Sequence, residues 1–167
     1  MTKLTLSRTI HAPADRVWDI LADFGGVHVF HPMVDASPIT NGQDTGLGAE
    51  RCCELYNGTK VNEEITSFNP EHRNIGITVN QPDPPIEAMR GEFTVTPSGD
   101  GSCEVLAIME YGLIEGALEK EQVDGLRAMM EGVVENVLKG LDDHTVTGAI
   151  IGNGGMHQNA PSTRAMG

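Results

Sequence analysis

The chain has 167 residues, with 24 acidic side chains against 11 lysines and arginines and a formal charge of −13. That length fits one domain with a core of its own, and the charge repels phosphate backbones and anionic lipid headgroups, which argues against a nucleic-acid partner. No apolar run approaches the roughly 18 residues of a membrane span or reads as a signal peptide, and the three cysteines form neither a disulfide framework nor a CxxC metal site. The expectation is a cytoplasmic protein without membrane insertion.

Residues 2–11 alternate, with Leu4, Leu6 and Ile10 against Thr5, Ser7 and Thr9, the period of a half-buried strand. Pro13 suits the first turn of a helix whose inner face is Val17, Trp18, Ile20 and Leu21, ending near Asp23-Phe24-Gly25-Gly26. A second short helical turn from Val27 to Phe30 stops at Pro32. Beyond Met33, turn signals at Asn41-Gly42, Asn57-Gly58, Asn69-Pro70, Pro82 to Pro85 and Ser98 to Gly101 separate strand candidates near 33–40, 48–56, 59–68, 73–80, 86–96 and 102–112. Connections this short favour an antiparallel meander.

From Glu119 to Asp143, Leu126, Met129, Met130, Val133, Val134, Val137, Leu138 and Leu141 recur at helical spacing, opposite Glu121, Asp124, Glu131, Glu135 and Asp142. This long helix is the one element able to fill the concave side of the meander. The pattern therefore predicts an α+β helix-grip fold: a seven-stranded curved antiparallel sheet around a long C-terminal helix, with two short helices between strands 1 and 2. A single domain over 1–147 would be followed by a flexible tail, 148–167, mobile or docked elsewhere from about residue 152.

Several motifs support a family resemblance in that same order: Ala12-Pro13-Ala14-Asp15-Arg16-Val17-Trp18, Asp23-Phe24-Gly25-Gly26, Phe30-His31-Pro32, Gly48-Ala49-Glu50-Arg51 and Glu63-Glu64-Ile65. Together they resemble the START-like, or Bet v 1-like (SRPBCC), superfamily, and within it the bacterial polyketide cyclase/dehydrase-like group. The resemblance implies an elongated cavity between sheet and helix, and members that include cyclases, carriers and hormone receptors. The chain has Met89 where many relatives carry Tyr and Ala107 where many carry Trp, departures that would widen such a cavity or leave methionines to fill it.

Strand parity and the helical stripe nominate the cavity wall, Ile77, Met89, Gly91, Phe93, Ala107, Met109, Leu126, Met129, Met130 and Val133, and the resemblance adds Phe30 from the Phe30-His31-Pro32 motif. Plain core packing is the competing reading of these residues. Arg51 and Glu63 lie on strands joined by the Asn57-Gly58 turn; a three-residue loop pairs them directly, whereas a two-residue turn sets Arg51 opposite Glu64. Inward, the pair could orient a carboxylate or polarise a carbonyl; outward, it is a weak surface ion pair. His31 could act as acid or base near neutral pH, and Tyr111 could offer its hydroxyl to a ligand. His28 and His31 share a spacing that could bring them to one face, yet a metal needs a further ligand and none is evident, so neither metal nor cofactor is expected.

These residues suit binding of a small hydrophobic molecule, polyketide-, lipid- or aromatic-like, by a monomer or homodimer. The alternative is a cyclase or dehydratase in which His31, Arg51, Glu63 and Tyr111 converge on one substrate. A third reading, a module that docks another protein, has only the acidic surface to support it.

Overall fold

A computed structural model describes residues 1–158. Strand β1 (Thr2–Ile10) leads into helix α1 (Ala14–Ala22) and a 3-10 turn over Phe24–Val29. Strands β2 (Val34–Ala36), β3 (Glu50–Leu55), β4 (Lys60–Asn69), β5 (Asn74–Asn80), β6 (Ile86–Pro97) and β7 (Cys103–Leu113) follow, then helix α2 (Lys120–Thr147). The sheet is antiparallel with order β1-β7-β6-β5-β4-β3-β2, so the meander closes with the first strand on the edge beside the last. The expected seven strands and their order are therefore present; the first meander strand shrinks from 33–40 to three residues, and the second short helix is a 3-10 turn.

Register explains the inner face. Ile77 pairs with Gly91, Gly91 with Met109 and Met109 with Leu4, while Ile75, Phe93, Ala107 and Leu6 form the neighbouring row. Residues directly opposite one another share a face, so these two rows line the concave side. A register shift between Ile65 and Ser67 leaves Thr66 as an extra residue on β4, and such bulges bend and twist the strand that carries them.

Helix α2 begins with a capping box in which Glu119 and Gln122 satisfy each other's backbone N–H groups, and it ends on Gly148 in the left-handed conformation. Its buried side chains are Met130, Val134, Val137, Leu138, Leu141 and Thr145; none lies before Met130. The helix packs against β1, β7 and α1. Asp142, expected on the wet face, instead turns to Arg8 of β1 at 2.7 Å. Gly140 is where the helix meets the 30–32 segment: a Cβ there would collide with the carbonyl oxygen of Phe30.

The stretch expected as a tail is described as far as Gln158. Ile150–Ile151 and His157–Gln158 form a two-stranded hairpin, Ile151 is fully buried, and the amide of Gly154 donates to the Pro32 carbonyl. Burial of one isoleucine and a hydrogen bond back to the body hold the segment in place. The remainder of the expected tail, 159–167, lies outside the described residues.

Candidate functional site

The Tyr56-Asn57-Gly58 connection is a three-residue loop closed by the Leu55 amide on the Thr59 carbonyl, so Arg51 pairs directly with Glu63. Both side chains point to the concave face, and Arg51 is only 6% exposed. Its Nε and Nη2 lie 2.8 and 2.7 Å from Glu63 Oε1, and Nη1 donates to the Phe24 carbonyl at 2.9 Å. The Phe24 ring covers the guanidinium, with its centroid 3.9 Å from Cζ. The Cys53 thiol, two residues along β3 and hence on the same face, also donates to Glu63 Oε1, at 3.1 Å. Three donors thus converge on one carboxylate oxygen, and none of them reaches Oε2.

Burial pushes the Glu63 carboxyl up, but the Arg51 charge and the hydrogen bonds from Cys53 and Arg51 outweigh it, so the group titrates below its ordinary 4.5. Burial, reinforced by the Glu63 charge, pushes the Cys53 thiol far up; it stays protonated and is no nucleophile. His31 titrates at about 4 rather than 6.5, chiefly through burial, with Glu63 opposing and Arg51 adding to the shift. Its Nδ1 accepts the Met33 amide at 3.1 Å, which leaves the proton of the neutral ring on Nε2. His28 plays a different part, in which Ser37 gives its hydroxyl proton to the Gly25 carbonyl and accepts from His28 Nδ1 at 2.8 Å, pinning the 3-10 turn to β2. Among the described residues no group of three His, Cys, Asp or Glu side chains could hold a metal. Nor is any described helix long and apolar enough to cross a membrane.

Next to this polar cluster the concave face is incompletely covered. Because α2 packs on β1 and β7, Met89, Gly91, Phe93 and Met109 remain half-buried, and nothing lies within 4 Å of a Cβ built on Gly91. Ile77 and Ala107 of the nominated wall are buried beside them, and Phe30 is buried in the core under α1.

A family model described as "Polyketide cyclase / dehydrase and lipid transport" matches residues 1–145. The chain belongs to this family. No curated protein matches it in sequence. Among solved structures, a Thermobifida fusca protein is 26% identical, with a TM-score of 0.72 and coverage of 87% of this chain and 93% of that one. Truncated norcoclaurine synthase from Thalictrum flavum is 16% identical, with a TM-score of 0.68 and coverage of 87% and 94%. The di-domain ARO/CYC protein BexL of the BE-7585A biosynthetic pathway is also 16% identical, with a TM-score of 0.73 and coverage of 87% of this chain and 46% of that one. The last two show the shared Bet v 1-like fold.

Three nominated residues take other places in this polyketide cyclase/dehydrase family member. Tyr111 does not join Arg51 and Glu63: it sits on β7, three strands from Glu63, on the order of 14 Å along the sheet, and is buried with Leu4 and Met130. Met129 is 57% exposed, because the buried row runs through Met130 and Val134, and a neighbouring residue on a helix is turned about 100° away. Val133, four residues on from Met129, is half-buried and lines a cleft of about 350 Å³ between α2, Pro32-Met33 and the C-terminal hairpin. Leu126 is half-buried and packs beside Tyr111 and Met130. Two participants escape a reading of the sequence alone: Phe24, visible there only as part of the Asp23-Phe24-Gly25-Gly26 motif, and Cys53, whose strand parity with Arg51 was the available signal.

Proposed function

We propose that this protein holds a small apolar molecule against the concave face of the sheet, in the hollow bordered by α2, with the Arg51–Glu63 pair as its polar end. The observation that carries the reading is that Met89, Phe93 and Met109 are left half-buried around the open space at Gly91. An apolar surface with a few fixed polar groups is the usual make-up of a small-molecule site. The family description, with its cyclases, dehydrases and lipid transport, supports the same use. Gly91→Trp should fill the space and abolish uptake of an apolar fluorescent probe in a protein that still unfolds cooperatively; undiminished uptake refutes the hollow as the binding place.

A cyclase or dehydratase using the same hollow is the second reading. It is favoured by one observation, an ionised carboxylate with one oxygen left over near a neutral imidazole, a combination able to take and return a proton. Its test is turnover of poly-β-ketone substrates: Glu63→Gln and His31→Ala should each lower the rate by at least about a hundredfold. Indifference to both changes removes the enzymatic reading and leaves binding.

A further inference from the structure

We propose that the occupant of the hollow presents a neutral hydroxyl, as a phenol, enol or alcohol, to Glu63 Oε2, and that carboxylate ligands are turned away. This rests on the binding reading above and adds the chemistry of the ligand's polar end. In a protein–ligand site an arginine is the usual partner of a carboxylate, through its two-pronged donor edge. Here that edge is occupied: each of the three guanidinium nitrogens already has an oxygen within 2.9 Å, and the Phe24 ring covers the face. The group that stays available is the second oxygen of Glu63, which can only accept. An incoming carboxylate would meet that negative oxygen instead of a cation.

Among the described residues no other charge on the concave side reverses the preference. Arg8, the remaining cation on the inner side of β1, is held by Asp142, and His31 is neutral. The Arg51–Glu63 pair is balanced, so a protonated amine would bring an uncompensated charge into a poorly solvated place. A neutral hydroxyl brings none. It donates a hydrogen bond to Oε2, and a bond to a charged acceptor is among the stronger ones available.

The test uses four naphthalenes of matched shape at pH 7, with affinities measured by fluorescence titration: 2-naphthol, 2-methylnaphthalene, 2-naphthoate and 2-naphthylmethylamine. The expected result is 2-naphthol at least about tenfold tighter than 2-methylnaphthalene, with the two charged probes weaker than both. Glu63→Gln should cut the naphthol preference to within about threefold. If 2-methylnaphthalene binds, is lost in Gly91→Trp and equals 2-naphthol in affinity, the hollow stands and the hydroxyl inference falls. Tighter binding of the naphthoate or the amine overturns it as well, and binding of none of the four overturns both it and the reading it rests on. The comparison on the unaltered protein decides the matter even if Glu63→Gln does not fold.

Discussion

Removing the positive half of the buried pair gives the sharpest test of the site. In Arg51→Met the Glu63 carboxylate keeps its burial but loses the charge 2.7 Å away and two of the three donors on Oε1, while Phe24 loses the cation against its ring. Breaking a buried ion pair on one side costs about 3–5 kcal/mol, and in a chain of this length that lowers the melting temperature by roughly 10 °C. The pH dependence carries a sign as well. In the unaltered protein the folded-state pKa of Glu63 lies below its unfolded value, so its stabilisation is complete above the unfolded value and is lost as pH falls through the folded one. In Arg51→Met only the Cys53 hydrogen bond and the smaller effect of His31 still oppose burial, which now raises the folded pKa above the unfolded one, so the variant regains stability relative to the parent as the carboxyl protonates on acidification. Urea denaturation between pH 4 and 8 reads both effects, and Arg51→Met combined with Glu63→Leu should recover more than half of the loss at pH 7. A loss under about 1 kcal/mol that does not change with pH would mean the pair behaves as an exposed one, and the account of the site would fail.

The close approach at Gly140 makes a second expectation: Gly140→Ala should cost about 1–3 kcal/mol despite alanine's better helix propensity, because the new methyl meets the Phe30 carbonyl. Gly125→Ala, exposed on the same helix with nothing within 4 Å, should gain about 0.5–1 kcal/mol, and urea melts of the two variants should therefore shift in opposite directions. For His31, an NMR titration of the imidazole should show little protonation from pH 8 to 5 and an apparent pKa near 4. Because the unfolded chain takes up this proton at higher pH than the folded one, His31 adds a component of stability that is lost as pH falls from 6.5 towards 4; His31→Phe should flatten that part of the profile.

Much of the fold was readable because strand parity and helical spacing are local properties. The faces assigned to Ile75 and Ile77, to Gly91 and Phe93, and to Ala107 and Met109 follow from a period of two, and register then brings them into common rows. The partner of Arg51 was less accessible, since the choice between Glu63 and Glu64 turned on a single residue of loop length. The Phe24 contact joins residues 27 positions apart, which no pattern on β3 encodes. A stripe read from sequence does not fix which edge of it meets the sheet; the helix settles on β1 and β7 with Met130 buried and Met129 exposed, and that rotation is a tertiary outcome. Tyr111 was nominated for its hydroxyl, yet strand order sets its distance from Glu63, and strand order is set only once the whole sheet has closed.

The first ten residues of α2 bury no side chain, and the Arg127–Glu131 ion pair that bridges out of them is half exposed at both ends. Full burial begins at Met130, and before it Leu126 is the side chain that packs beside Tyr111 and Met130, so the first turns rest mainly on a capping box and their own ladder. Such a cantilever unwinds at a small fraction of the free energy of global unfolding. Amide exchange should accordingly run faster over 120–128 than over 134–141, and a guest could slip in or out past that fraying end while every strand of the sheet stays paired.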